Sequence, residues 1–178
     1  MDTLAHGLWA AIGIAAMQPR FAVTRTQAVA AVSLAVAPDL LQWLPLLGWA
    51  AVGGGHLSDL TTFGLALPGQ EPGLPEIVAL LTHHLHCIMH SAVVAGVVTA
   101  LAWRFRRAML LPLLGWWSHI VIDVPTHSAD YYAVPVLYPF TQRGFDGWAW
   151  NTPAALALNY TAIAAALGWL AWRRRRRL

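Results

Sequence analysis

Five stretches of this chain, 4–19, 26–48, 77–103, 108–124 and 153–172, are almost wholly apolar. Each approaches the length that crosses about 30 Å of hydrocarbon. In lipid, every backbone N–H and C=O must be satisfied within its own segment, so such stretches are expected to be helices. Only 11% of the residues are charged, where a soluble domain carries about a quarter. The expected fold is therefore all-α: one domain, residues 1–178, forming a multi-pass transmembrane bundle of about five helices. Two long loops interrupt it. One holds "GGG" at 53–55 and "LPGQEPGLPE" at 67–76; the other is "YYAVPVLYPFTQRGFDGWAW" at 131–150. No internal repeat is visible, and the single cysteine, Cys87, excludes an internal disulfide.

The arginines orient the bundle. Arg20 and Arg25 fall between the first two spans, Arg104, Arg106 and Arg107 between the third and fourth, and the run at 173–177 follows the fifth. Only Arg143 lies on the other side, with Asp59, Glu71, Asp130 and Asp146. The positive-inside rule then makes the arginine-rich side cytoplasmic, with the N-terminus outside and the C-terminus inside an inner membrane. Asp2 stands where a secretory signal would carry basic residues, so no cleaved signal is expected. The terminal arginines read first as a positive-inside stop and otherwise as a site for anionic lipid or nucleic acid. Membrane lipid is the expected partner, and nucleic acid is not.

Against this background, ionisable residues inside the spans carry information, because each is costly in hydrocarbon and usually pairs or serves a function. They are His6, Asp39, His90, His119 and Asp123, with His83, His84 and His86 nearer the outer end of the third span. Counted from the arginines, the first five lie 12 to 16 residues outward, which is roughly 18–24 Å at the helical rise. Four helices thus deliver polar side chains to one layer. A divalent metal is the simplest occupant, since imidazole and carboxylate are the usual zinc ligands and also admit manganese or iron. His119 and Asp123, four apart, share a helix face. Two carboxylates would balance one M²⁺. The same residues also have plainer readings. His6 can bond a backbone carbonyl, Asp39 can cap a helix after a break at Pro38, His119 and Asp123 can pair without an ion, and the 83–90 histidines can form an interfacial cluster.

The segments "MDTLAHGLW", "APDLLQW" (37–43), "MHSAVV" (89–94) and "HIVIDVPTHSADYYAVPVLYPFTQRGFDGWAW" (119–150) together resemble the small bacterial membrane-bound metal-dependent hydrolase family, the YdjM-like group. Their order of ligand-type residues is also similar to the helical zinc phospholipase C and nuclease fold. The resemblance implies a multi-pass helical hydrolase with His6, Asp39, His90, His119 and Asp123 as metal ligands and His127 as an additional one. The chain departs from the phospholipase pattern in having Met89 before His90 and no later HxxxE.

The expected chemistry is hydrolysis of a phosphoester or lipid-like ester by a metal-activated water. Asp39 or His127 would serve as the base. Arg143, Ser91 and Ser128 are candidate substrate contacts, the two serines having local capping as their alternative. A noncatalytic metal-stabilised scaffold stays open as a second reading. An ion or proton transporter is the third, disfavoured because the inner halves of the spans offer no ionisable stepping stones.

Overall fold

The computed structural model describes residues 1–176, so Arg177, the last of the terminal arginines, lies outside the described residues. Eight α-helices follow one another: α1 (Thr3–Met17), α2 (Arg25–Gln42), α3 (Leu44–Ala51), α4 (Leu57–Leu65), α5 (Glu76–Met89), α6 (Ala92–Phe105), α7 (Leu110–Thr126) and α8 (Pro153–Arg175). Their starts follow local rules. Asp2 accepts a hydrogen bond from Ala5 N to begin α1, and Thr24 forms a reciprocal capping box with Gln27 at α2. Thr152 caps α8, with Pro153 in the first turn.

The five continuous spans expected from hydropathy are not what forms. Two helical stretches are each long and apolar enough to cross a membrane, the 20 residues Arg107–Thr126 and the 23 of α8. Two further stretches qualify only as bent pairs, α2 with α3 at 55° and α5 with α6 at 60°. Helix α1, 15 residues long, is a shorter apolar helix. The breaks have local causes. Pro45 brings no N–H to the first turn of α3, so α2 stops at Gln42 and the chain restarts. Pro38, by contrast, sits inside an unbroken α2, which removes the capping alternative for Asp39. Between α5 and α6, Ser91 adopts an extended conformation and caps Val94 N. Its hydroxyl also donates to Tyr138 O at 2.6 Å, and Ala92 N donates to Val136 O at 2.9 Å. The 134–138 chain therefore holds that bend open. The first long loop is likewise shorter than expected, because 57–65 is helical.

The closest packing is between α2 and α7. Ala31 and Ala35, both buried, face Gly115 and His119, and a Cβ built on Gly115 would lie 1.8 Å from Ala31 O. Ala31 and Ala35, four apart on α2, and the single Gly115 on α7 let the two backbones approach. Helix α6 covers α7 through Ala95, Ala102, Leu113, Trp116 and Ile120. The indole N–H groups of Trp116 and Trp117 donate to Met89 O at 2.6 Å and Thr99 Oγ1 at 2.9 Å. Helix α8 is peripheral. It rests on α1 through Ala5, Ile12 and Ile163, with Trp9 Nε1 donating to Asn159 Oδ1 at 2.9 Å. Its remaining surface exposes Leu158, Leu167, Trp169 and Trp172.

The α2–α7 approach makes a measurable claim. Gly115→Ala should force the two helices apart and destabilise the protein by about 1–3 kcal/mol or more. Gly96→Ala, in α6 with nothing within 4 Å of the new methyl, should stay within about 1 kcal/mol of wild type. Thermal unfolding in detergent compares them, and equal midpoints would contradict the packing described.

Candidate metal centre

Helices α2 and α7 carry matched ladders of residues four apart: Ala31, Ala35 and Asp39 on one, Gly115, His119 and Asp123 on the other. The tight Ala31–Gly115 contact fixes the register, and one turn on, His119 Nδ1–H donates to Ala35 O at 2.8 Å. A second imidazole arrives from the end of α5, where His90 Nδ1–H donates to His86 O at 2.8 Å. Carbonyls only accept, so both rings are held with the proton on Nδ1 and the lone pair on Nε2. Those two lone pairs face each other at 3.0 Å.

Both carboxylates join them. Asp123 Oδ2 lies 3.1 Å from His119 Nε2 and 3.4 Å from His90 Nε2, while Asp39 Oδ1 lies 3.7 and 3.9 Å from the same atoms. One donor atom from each of Asp39, His90, His119 and Asp123 falls within 4.8 Å of all the others. Four electron-pair donors thus converge, three of the residues buried and Asp39 half-buried. Neutral imidazoles and ionised carboxylates in this arrangement repel unless a cation joins them. A tetrahedral zinc with bonds of 2.0–2.1 Å separates its ligands by about 3.3 Å, and the spacings here bracket that value. The carbonyls behind His90 and His119 are the outer-shell partners that orient metal-bound imidazoles. The residues present therefore fit a divalent cation.

His6, expected as a fifth ligand, is placed differently. Its Nε2 lies 2.9 Å from the other oxygen of Asp123, Oδ1, and its ring stacks on His119 with centroids 3.8 Å apart. Neither ring nitrogen makes a hydrogen bond among the described residues. The N-terminal amine of Met1 pairs with the same Oδ1. Asp123 is therefore addressed from both sides, by the four-residue cluster through Oδ2 and by His6 and Met1 through Oδ1.

Above the cluster lies a cavity of about 540 Å³, with Asp39, His90 and His127 among its lining residues. His127 Nδ1–H donates to Asp123 O at 3.1 Å, leaving Nε2 as the acceptor. Trp43, Phe63, Tyr131, Tyr132 and Trp150 supply aromatic walls. Tyr132 takes a left-handed backbone, φ 49°, rare for a bulky residue. Its hydroxyl donates to Glu71 Oε1 at 2.7 Å, tying the two long loops together across the mouth. Burial, followed by this contact with Glu71, pushes the Tyr132 hydroxyl well above its ordinary pKa. On Glu71, burial works upward, but the Tyr132 hydroxyl and nearby backbone amides outweigh it and hold the carboxyl below its usual value.

The three candidate substrate contacts do not line this cavity. Arg143 is exposed on the loop, and its backbone N–H donates to Thr141 Oγ1. Ser91 is fully buried, and its hydroxyl is engaged by the α6 cap and Tyr138 O. Ser128 forms a backbone bridge with Tyr131. The cavity instead takes up Thr82, His86, Glu71 and Tyr132. Of these, His86 was detectable from its spacing, one turn before His90; the loop residues had no sequence signal.

Purified protein is expected to hold one equivalent of divalent metal by elemental analysis. His90→Ala, His119→Ala and Asp123→Asn should each lose it while remaining helical, and Arg143→Ala should retain it. Retention in all three ligand variants would rule out the centre.

Set against protein families, curated proteins and solved structures, the chain matches none.

Proposed function

We propose that this chain is a metal-dependent hydrolase of the bacterial inner membrane, acting on a phosphoester or lipid-like ester near the outer face. The proposed topology crosses five times, with the α2–α3 and α5–α6 pairs as broken spans and α1, α7 and α8 as the others. Orientation rests on arginine placement, with cation–π pairs of Arg107 over Trp103 and Arg176 over Trp172 grouping basic and aromatic residues at the proposed cytoplasmic ends.

The observation that carries the reading is the pair of Nε2 lone pairs held 3.0 Å apart beside two carboxylates at the floor of a cavity. Zinc suits this two-nitrogen, two-oxygen donor set, and manganese or iron would also be accepted. When bound, such an ion polarises an ester and lowers the pKa of a nearby water. The chain's own residues supply the rest. Asp39 reaches both the cluster and the cavity, and its Oδ2 has no hydrogen-bond partner among the described residues, so it can accept from and orient the attacking water. His127, fixed by Asp123 O, presents Nε2 as the base that takes the proton. The aromatic walls accommodate the apolar part of an amphipathic ester and limit water around the reacting bond. His6, against Asp123 Oδ1, offers a position for a second ion.

One observation favours the scaffold reading: four protein ligands around one ion are what a closed structural zinc site has. Opening of the cavity onto Asp39 and His90 favours catalysis.

Zinc-loaded protein in detergent should hydrolyse bis(p-nitrophenyl) phosphate or a short-chain phospholipid, and chelation should abolish the activity. His127→Ala should keep its metal and lose about 10²–10⁴-fold in kcat. A metal-replete wild type inert toward both substrates would leave the scaffold as the better account.

A further inference from the structure

Ala79, Thr82, His83, His86 and His90 all line the cavity, at the spacing of one face of α5. His90 belongs to the metal centre. One turn outward, His86 Nδ1–H donates to Gln42 Oε1 at 3.0 Å. Gln42 thereby fixes the tautomer, and Nε2 is left as an acceptor with no partner among the described residues. Another turn out stands Thr82, 5% exposed, whose Oγ1 makes no hydrogen bond among the described residues.

That is unusual for a helical threonine, which ordinarily bonds the carbonyl one turn back. Thr99 does so with Ala95 O at 2.7 Å, and Thr126 with Ile122 O at 2.9 Å. Among the described helical threonines that are not exposed and lie beyond a first turn, Thr82 alone makes no such bond, and it is the one of these three on the cavity wall. Unsatisfied buried hydroxyls are costly and call for a partner. Trp43, Phe63 and Tyr132 also line the cavity, and among the described residues no arginine does.

We infer that the α5 wall is a hydroxyl-binding subsite, in which Thr82 and His86 hold an uncharged polyol portion of the ligand whose ester group sits at the metal. The donor–acceptor match selects the group. His86 Nε2 needs a donor, and Thr82 has its own O–H to place; a hydroxyl meets both needs at once. A dianionic phosphate monoester offers His86 no hydrogen, and an ammonium offers Thr82 no acceptor. The aromatic faces of the lining pack against the carbon side of such a group. This assignment rests on the hydrolase reading for the metal end, and it names the substrate class as an ester of a polyhydroxylated alcohol.

The test is calorimetric titration of zinc-loaded protein, excess metal removed, with inorganic phosphate, glycerol 3-phosphate and ethanolamine phosphate. Glycerol 3-phosphate should bind about tenfold tighter than inorganic phosphate, the increment of two net hydrogen bonds. Thr82→Val should reduce that advantage severalfold, leaving phosphate affinity and metal content unchanged. His86→Phe should do the same, so the outcome does not hang on the folding of one variant. Equal affinity for phosphate and glycerol 3-phosphate would overturn the subsite. So would an advantage that survives both substitutions, or tighter binding of ethanolamine phosphate. Failure of all three ligands to bind zinc-loaded protein would instead overturn the hydrolase reading, and this assignment with it.

Discussion

The contact on which the rest depends is the backbone approach of α2 and α7 at Ala31 and Gly115. Without it, His119 could not reach Ala35 O, and its tautomer would be free. The same register then sets Asp39 beside Asp123 one turn further on, two acids brought together by the steric permission of a glycine and two alanines. In lipid, where apolar side chains gain nothing by leaving hydrocarbon, close packing of small residues is the available means of fixing two helices. The charged end of the ladder works against association unless a cation joins it. Packing thus imposes a geometry that the site's own electrostatics resist.

The centre and the cavity divide their tasks by charge. Two carboxylates would offset a divalent ion, and the Met1 ammonium on Asp123 would leave the loaded floor with about one positive charge rather than the two of a bare ion, in surroundings where net charge is expensive. Above it the lining is largely aromatic and aliphatic, interleaved with imidazoles, Gln42 and Thr82, and of its outer carboxylates Asp2 accepts from Ala5 N and Tyr160 while Glu71 accepts from Tyr132. Among the described residues of the lining the Met1 ammonium, already paired with Asp123, is the one fixed cation, so an anionic group would find its other positive partner at the ion. The loops contribute shape more than charge: Asp59 and Asp146 are spent on the backbone amides of His56 and Ala129.

Much of the centre could be read before any coordinates, and for a physical reason. Ionisable side chains are scarce in apolar helices, so Asp39, His90, His119 and Asp123 stood out against their surroundings, and counting along helices placed them at one depth. The continuity of the helices could not be read that way. Hydropathy is blind to a bend such as the one at Ser91, which depends on Tyr138 and Val136, residues more than forty positions away. Ser91 offered two readings in the sequence, substrate contact or local cap, and its hydroxyl caps Val94 N and donates to Tyr138 O. Arg143 was chosen as the one basic residue on its side of the membrane, but charge alone does not place a loop side chain in a cavity. Thr82 gave no signal at all, since an isolated threonine in an apolar helix is ordinary until its missing partner is seen.

The peripheral seat of α8 bears on how the protein is made. Every residue of the four-ligand cluster precedes position 124, and α8 touches the rest of the fold chiefly through α1, at Ala5, Ile12 and Trp9. Synthesis proceeds from the N-terminus and units consolidate as they emerge, so α2, α5 and α7 can come together around an ion while the last helix is still in the ribosome. Helix α8 thus contributes none of the four residues and packs on the outside of a cluster drawn from α2, α5 and α7.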